Sequence, residues 1–226
     1  MISAKKVAAF VLSFVLTAPA FAQGYDPNIA GSTDAEGAQK VLLQAAHDIH
    51  DLKSNPRFAS QLEKAKGVVI VPEMVKGAFG FGASGGTGVL VAHQNGQWSN
   101  PAFLTVGSFS FGAQAAWEVG PVFIFPMTDK ALADLTQESH LLFYGAAGLT
   151  VATWRADAWF PIGDNDISVW SSENGAFAGL IVAGSDVHDK TIYDKAYYNN
   201  KYTEAKQIIG SRGDPNAKPL LSELPG

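Results

Sequence analysis

The order of hydrophobic and polar residues predicts helices towards both ends of the chain and strands between them. From Ala38 to Leu52 apolar residues recur at three- and four-residue steps, the spacing of one helical stripe. Asn55-Pro56 predicts the N-cap and first residue of a second helix through Lys66. Residues 68–71 are β-branched, and residues 77–126 follow a strand-like pattern with a hairpin turn at Asn95-Gly96. Helical spacing returns near 189–198 and 203–209.

This order of elements predicts an α+β fold, with N-terminal helices, a mainly antiparallel sheet and a C-terminal helix. So many strands in one small domain favour a curled sheet or a barrel-like core, because closure hides the sheet edges. We expect residues 1–22 to be removed, 23–33 to form a flexible leader, 34–210 to form a single domain and 211–226 to be a flexible tail. Three prolines in that last segment favour the loose tail.

Phenylalanine occupies every second position in three segments, beginning at Phe79, Phe109 and Phe123. Period two places those rings on one face of a sheet. In the first two segments the intervening residues are glycine and serine, which would let a helix, another sheet or a ligand approach closely. The residues Phe79, Phe81, Phe109 and Phe111 are therefore either core residues or a lipid-facing surface.

The first 22 residues resemble a secretory signal peptide. Lys5 and Lys6 precede the apolar run Val7–Leu16, and Ala20 and Ala22 supply the small residues of a cleavage site after Ala22. The apolar run is too short for a permanent membrane span. The chain has no cysteine, which excludes a lipoprotein anchor, disulfides and a thiol nucleophile. We therefore expect an exported, periplasmic protein.

Charge is unevenly distributed along the chain. Without Lys5 and Lys6, 14 basic side chains face 21 acidic ones, which argues against a nucleic-acid partner. The segment 53–76 is nevertheless rich in basic residues. These residues form either a solvated helical face or a contact with anionic lipid headgroups. They are Lys53, Arg57, Lys64, Lys66 and Lys76.

Two glycine-rich motifs match patterns of nucleotide-binding proteins and of serine hydrolases, but the neighbouring sequence lacks the helix that both patterns require. Residues 80–85 fit GxGxxG, but strand-like sequence follows where a helix is needed, and the next acidic residue is Glu118. Residues 82–86 fit GxSxG around Ser84, with Asp186 and His188 downstream. We predict no nucleotide cofactor, and a serine hydrolase using Ser84 remains an alternative.

No metal site is predicted. His47, His50 and Asp51 share a helical face, but nothing in the sequence locates a further ligand. Asp164-Asn165-Asp166 is typical of a plain turn. Glu118 lies in a long apolar stretch and needs a basic partner, such as Arg155.

Several motifs follow one another along the chain: Ala65–Pro72, Phe79–Gly88, Trp98–Phe103, Phe123–Phe125 followed by Lys130–Leu132, and Ser171–Leu180 before Tyr193. In this order they resemble the SYLF domain family, from about Ala35 to Ile209. The resemblance implies a membrane-lipid or lipid-ligand role without known catalysis. Eukaryotic members are implicated in phosphoinositide binding and, in yeast, actin binding, whereas bacterial members are exported and described as lipid-binding. Actin is not expected as a partner of a periplasmic protein.

We therefore predict a non-enzymatic periplasmic module that binds lipid or associates with membranes. Basic side chains would contact anionic headgroups, and apolar side chains would contact the lipid interior. An envelope protein that binds another protein through its sheet is the alternative from a different class. The predicted lipid-contact residues are Lys53, Arg57, Lys64, Lys66, Lys76, Phe79 and Phe81.

Overall fold

The computed structural model describes residues 30–226 except 80, 112–115, 137–139, 142–148, 154–158, 163–165 and 172–184. The predicted signal peptide, most of the leader, Arg155 and the turn at 164–165 lie outside the described residues. Within the described helices and strands, the side chains of residues 30–32, 76–79, 81–83, 108–111, 116–118, 140–141, 149–153, 159–162 and 185 also lie outside the description. For those positions only the backbone pairing is used below.

Helices flank a long run of strands, as the hydrophobic pattern predicts. The first helix begins at Ala30, inside the segment expected to be a flexible leader. The helices are α1 (Ala30–Leu52), α2 (Pro56–Lys64), α3 (Asp129–Asp134), α4 (Thr191–Tyr197), α5 (Ala205–Ile209) and α6 (Lys218–Leu221), with a 3₁₀ turn at Pro215–Ala217. The strands are β1 (Gly67–Phe79), β2 (Phe81–Gln94), β3 (Gln97–Trp98), β4 (Ala102–Phe111), β5 (Ala116–Pro126), β6 (His140–Leu141), β7 (Leu149–Thr153), β8 (Trp159–Ile162), β9 (Ile167–Ser171) and β10 (Ser185–Asp189).

The strands form one sheet in the order β6-β10-β4-β2-β1-β5-β9-β7-β8, with β3 paired to β2. The pairs are antiparallel except for β7 with β9, which is parallel. The predicted α+β class and the mainly antiparallel pairing are confirmed. The sheet is not closed into a barrel, because its path ends at β6 and β8, and these two strands do not pair within the described residues.

Strand β1 lies at the centre of the sheet, between β2 and β5, and is longer than the sequence indicates. Pro72 looked like the end of a strand, yet β1 continues to Phe79. The register with both neighbours shifts around Pro72 and Glu73. Proline lacks the N–H that a ladder needs, and a bulge is one of the few places where a strand tolerates it. The bulge therefore lets β1 continue past Pro72 and pair with β2 and β5 on both sides of it.

Helix α2 packs its apolar side onto aromatic residues of the sheet. Asn55 caps the helix, since its side chain accepts hydrogen bonds from the backbone N–H of Arg57 and Phe58. The fully buried Phe58 ring meets Phe123 edge-on, with the ring centroids 4.9 Å apart, and Trp170 at 5.7 Å. Such pairs are each worth about 0.5–1.5 kcal/mol beyond area burial. The sequence-predicted cap and apolar stripe thus anchor the helical layer to the sheet.

Residues 211–226 were expected to be a loose tail, and the structure corrects this. Ala217 and Leu220 are fully buried, and Leu224 is nearly so. The indole Nε1 of Trp98 donates to the carbonyl oxygen of Pro225 at 2.7 Å. The prolines here start or flank short helical turns, so the apolar residues between them can reach the core.

Candidate functional site

Four of the five predicted basic residues lie together at one end of the molecule. Arg57 and Lys64 are exposed on α2, Lys53 follows α1, and Lys66 immediately precedes β1. The Lys53 ammonium is 2.5 Å from a carboxylate oxygen of Glu223, and the Lys66 ammonium is 3.6 Å from Asp129. Exposed ion pairs of this kind stabilise a fold by about 0–1 kcal/mol. Headgroup contact by these residues stays a prediction.

The structure places Phe79 and Phe81 far from that basic end. Strand β1 has 13 residues, which at about 3.3 Å per residue corresponds to roughly 35–40 Å along the strand. The hydrocarbon core of a whole bilayer is only about 30 Å thick. A single lipid molecule therefore cannot contact Phe79 and these four basic residues at once, whereas Lys76 lies on β1 near Phe79; lipid contact by any of these residues stays a prediction.

Phe79 and Phe81 do not lie on one strand, as the alternation suggested. Strand β1 ends at Phe79, β2 begins at Phe81, and these two residues are paired directly. Phe81 is paired in turn with Phe111 on β4. Residues directly opposite each other in a ladder share a face of the sheet. Phe79, Phe81 and Phe111 are therefore neighbouring positions on one face, each on a different strand.

The same face continues through two exposed valines. Val75 is paired with Val119 on one side and with Gly85 on the other, and Gly85 is paired with Gly107. Val75 is 38% exposed and Val119 is 52% exposed. The positions that form this face are uncharged, and Asp186 on β10, which is paired with Gly107, borders them. We call it the apolar sheet face, and by register it comprises Val75, Gly77, Phe79, Phe81, Ala83, Gly85, Gly107, Phe109, Phe111, Trp117 and Val119.

Glycines on the two faces of β2 serve different purposes. A Cβ at Gly85 would meet nothing nearer than a backbone oxygen at 3.6 Å, whereas a Cβ at Gly88 would lie 2.7 Å from the carbonyl oxygen of Ile70. At Gly86 it would lie 2.5 Å from Val71. The close approach predicted for the glycine- and serine-rich face is thus made, at these positions, by the bulged neighbouring strand.

The geometry does not assemble a serine-hydrolase triad around Ser84. Ser84 is aligned with Ser108 and Ser185 across three strands. Asp186 and His188 alternate with Ser185 along β10, so they lie on the opposite face of the sheet. Strand β2 also continues past Ser84 to Gln94 instead of turning into a helix. His188 Nε2 lies 2.6 Å from Asp186 Oδ2. This pair therefore cannot activate Ser84 as a nucleophile, because Ser84 lies on the other face of the sheet.

No metal-binding cluster of three or more histidine, aspartate or glutamate side chains occurs among the described residues. His47 lies 3.5 Å from Asp51 on an exposed surface of α1, and His50 contacts Glu223. Within the same part of the chain, none of the helices combines the length and the hydrophobicity that a membrane span requires.

Two acidic side chains have unusual electrostatics that the sequence does not reveal. Asp194 in α4 is fully buried; one of its oxygens accepts the Phe103 N–H at 2.9 Å, and the other has no partner among the described residues. Burial raises the pKa of Asp194 to about 7. Burial also raises the pKa of Asp48 to about 6, with the nearby carboxylates of Asp51 and Glu73 adding to the effect. Neither residue belongs to the apolar sheet face, so we expect their titration to affect the pH dependence of folding stability and not the contact made by that face.

Comparison with known proteins gives one family and a small group of relatives. The family model described as "Ysc84: Las17-binding protein actin regulator" matches residues 76–225. The chain is similar to SH3 domain-containing YSC84-like protein 1 from Bos taurus and from Homo sapiens, each 30% identical over 139 residues. That match covers 56% of this chain and 38% of each relative. No solved structure is significantly similar to the chain.

Proposed function

This chain belongs to the Ysc84 family, the SYLF domain family that its motifs resemble, and from this membership and the apolar sheet face we propose that it is a non-enzymatic lipid-binding module. The family is linked to lipid- and actin-related binding. We propose that the protein acts in the periplasm, where its apolar sheet face inserts into the interfacial region of a membrane. The signal-like segment 1–22 and the lack of cysteine support that location.

The observation that carries this proposal is the pair of exposed valines on the apolar sheet face. Val75 and Val119 lie side by side on neighbouring strands, 38% and 52% exposed. Contiguous exposed apolar surface marks an interaction site in soluble proteins. Burying the exposed part of each valine would contribute about 1 kcal/mol.

Anionic lipids are the proposed partners because of the basic residues at the other end of β1. Lysine or arginine near an anionic surface contributes about 1 kcal/mol each, and this attraction falls off within a Debye length. Because the two regions lie further apart than a Debye length, the basic end would make a separate, salt-sensitive contact with an anionic membrane, and the apolar sheet face would make the contact that salt does not screen. Actin, named in the family description, is not a proposed partner because a periplasmic protein does not meet it.

Co-sedimentation with vesicles tests the apolar sheet face directly. The variant carries Val75→Ser and Val119→Ser, and the matched control is Ile192→Ser, since Ile192 on α4 is similarly exposed at 47%. We expect the double variant to lose most of its vesicle binding and the control to keep it. Urea unfolding of all three proteins checks that a difference in binding is not a difference in folding.

Neutral and anionic vesicles, each at low and high salt, separate the two contributions. Binding that weakens with salt but does not vanish agrees with the proposal, because apolar contact is not screened. Undiminished binding by the double variant would show that the membrane contact lies elsewhere. If the wild-type protein binds no vesicle at all, the lipid-binding proposal is wrong and the alternative of an envelope protein partner is favoured.

A further inference from the structure

A small cleft lies where helices α1 and α4 meet the bulge of the central strand β1. It has a volume of about 210 Å³, and its lining comes from α1, from α4, from the bulge and from Thr87 of β2. Sites for drug-sized ligands usually measure about 300–1,000 Å³, so this cleft suits a smaller molecule. With about 30 Å³ for each molecule of liquid water, its volume equals that of roughly seven waters.

Two backbone features that regular helices and strands lack shape this cleft. A Cβ at Gly37 would lie 2.6 Å from the Tyr193 hydroxyl oxygen, so any other residue at this position of α1 would displace that hydroxyl. Glycine inside a helix costs about 1 kcal/mol relative to alanine. The bulge at Pro72 and Glu73 shifts the register of β1 with both neighbours, and bulges re-aim side chains, often next to functional sites. Both features border the same cleft.

The lining carries one cation and one anion that do not pair with each other. Lys40 of α1 and Glu73 of the bulge are both exposed, and neither side chain forms an ion pair within the part of the chain that the structure describes. The side chains of Gln44, Thr87 and Tyr193 also line the cleft and make no hydrogen bond to a described residue. Five polar groups from four elements are therefore available to one small ligand.

We infer that this cleft binds a small α-amino acid as its zwitterion, with the ligand carboxylate on the Lys40 ammonium and the ligand ammonium on the Glu73 carboxylate. One lysine and one glutamate give the lining no net charge, which matches a ligand that is neutral overall and charged at both ends. Both contacts are charge-assisted hydrogen bonds, which are the stronger kind. Val41 and Pro72 supply apolar surface for a short side chain. A simple anion or a simple cation would satisfy only one of the two charges.

This inference does not depend on the proposed membrane contact, because none of the residues that line the cleft belongs to the apolar sheet face. A lipid headgroup that contains ethanolamine is also a zwitterion. Its phosphodiester is bulkier than a carboxylate, and the cleft is small, so the geometry favours the free amino acid. Glycerophosphoethanolamine therefore enters the experiment as a competing probe.

Titration of the full chain with L-alanine and with L-valine, followed by amide NMR, tests the inference. We expect saturable shifts that are largest in the cleft lining. Acetate and methylammonium each carry one of the two charges and should bind roughly tenfold more weakly or worse. The variant Lys40→Gln/Glu73→Gln should weaken L-alanine binding by a similar factor. The matched control is Glu63→Gln/Lys64→Gln, which removes the same two charges from an exposed part of α2 outside the lining.

The outcomes distinguish a built site from general charge attraction and from the membrane contact. Linear shifts without saturation, equal weakening in the α2 control, or acetate binding as tight as that of L-alanine would overturn the inference. Tighter binding of glycerophosphoethanolamine would overturn the assignment to an amino acid. Tyr193→Phe keeps the ring and should weaken L-alanine binding severalfold without changing urea unfolding. The Val75→Ser/Val119→Ser variant should bind L-alanine normally, so that failure of the membrane proposal leaves this result unchanged.

Discussion

Replacing Asp194 by asparagine should remove a loss of stability that the wild-type protein undergoes as pH rises from 5 to 8. The carboxylate is fully buried, with one oxygen bonded to the Phe103 N–H and the other without a partner among the described residues. Burial raises the pKa of Asp194 from 3.8 to about 7, and the nearby Asp189 carboxylate adds to the effect. Asparagine keeps the shape and the acceptor for the Phe103 N–H, but it never carries the charge.

The magnitude follows from the two pKa values. Because the folded-state pKa of Asp194 exceeds its unfolded value, the folded state keeps its proton longer as pH rises. Its contribution to stability is fully present below pH 3.8, is lost as pH rises to about 7, and changes no further above that. Each pH unit corresponds to about 1.4 kcal/mol, so roughly 3 kcal/mol is lost between pH 5 and pH 8.

The amide of the variant adds its own cost, which does not depend on pH. Its two N–H donors replace the unpartnered oxygen, and unsatisfied buried donors cost about 1–3 kcal/mol. We therefore expect Asp194→Asn to be similar to or less stable than wild type at pH 5 and about as stable or more stable at pH 8. The change in the stability difference across that range, about 3 kcal/mol, is the quantity to measure.

Urea unfolding at intervals from pH 5 to pH 8 provides this measurement. Asp134→Asn is the control, since Asp134 is an exposed carboxylate that pairs with Lys130 on α3. The control should follow the wild-type curve with a small constant offset. Parallel curves for wild type and Asp194→Asn would refute the argument, because the carboxyl group would then titrate alike in the folded and unfolded chain.

Two further substitutions test the packing. Gly88→Ala should destabilise the protein by about 1–3 kcal/mol, because the new Cβ would lie 2.7 Å from the Ile70 carbonyl oxygen. Gly107→Ala is the control in the same urea experiment and should be tolerated, since its Cβ would meet no atom nearer than 3.9 Å. Phe58→Ala should cost about 3–5 kcal/mol, since the ring is fully buried against Phe123; a loss below about 1 kcal/mol in thermal or urea unfolding would show that α2 is peripheral to the core.

Local signals predicted the elements whose structure depends on neighbouring residues. Asn55 caps α2, as the Asn55-Pro56 pair predicts, by accepting the Arg57 N–H at 3.0 Å. Asn95 and Gly96 take the positive φ angles of 54° and 73° that a tight hairpin turn requires. Each of these features is decided by a few adjacent residues, so the sequence displays it directly.

Features that depend on distant partners were not visible. The bulge at Pro72 lets β1 continue because β2 and β5 hold both sides of it. Phe79 and Phe81 belong to different strands, since the same alternation is compatible with one strand or with two paired strands. Asp194 has an ordinary helical context, and its burial arises from packing of α4 against β4.

The predicted lipid-contact residues illustrate the same division. Charge and apolarity identified Lys66, Phe79 and Phe81 as candidates, but the distance between the two groups follows only from the length of β1. Val75 and Val119 were missed because their exposure depends on which strands lie beside them. Strands β1 and β5 pair across about 40 residues of sequence, so no local pattern indicates that Val75 and Val119 lie side by side.

The packing of residues 211–225 onto early elements has a consequence for how the chain folds. Glu223 bonds to His50 and Lys53 across 173 and 170 residues, and Pro225 bonds to Trp98 across 127. Contacts of such large sequence separation must wait for wide loops to close, which makes folding slow compared with that of helical bundles. Until those residues arrive, the apolar side of α1 has an incomplete partner, so the unfinished chain is the state most exposed to aggregation and proteolysis.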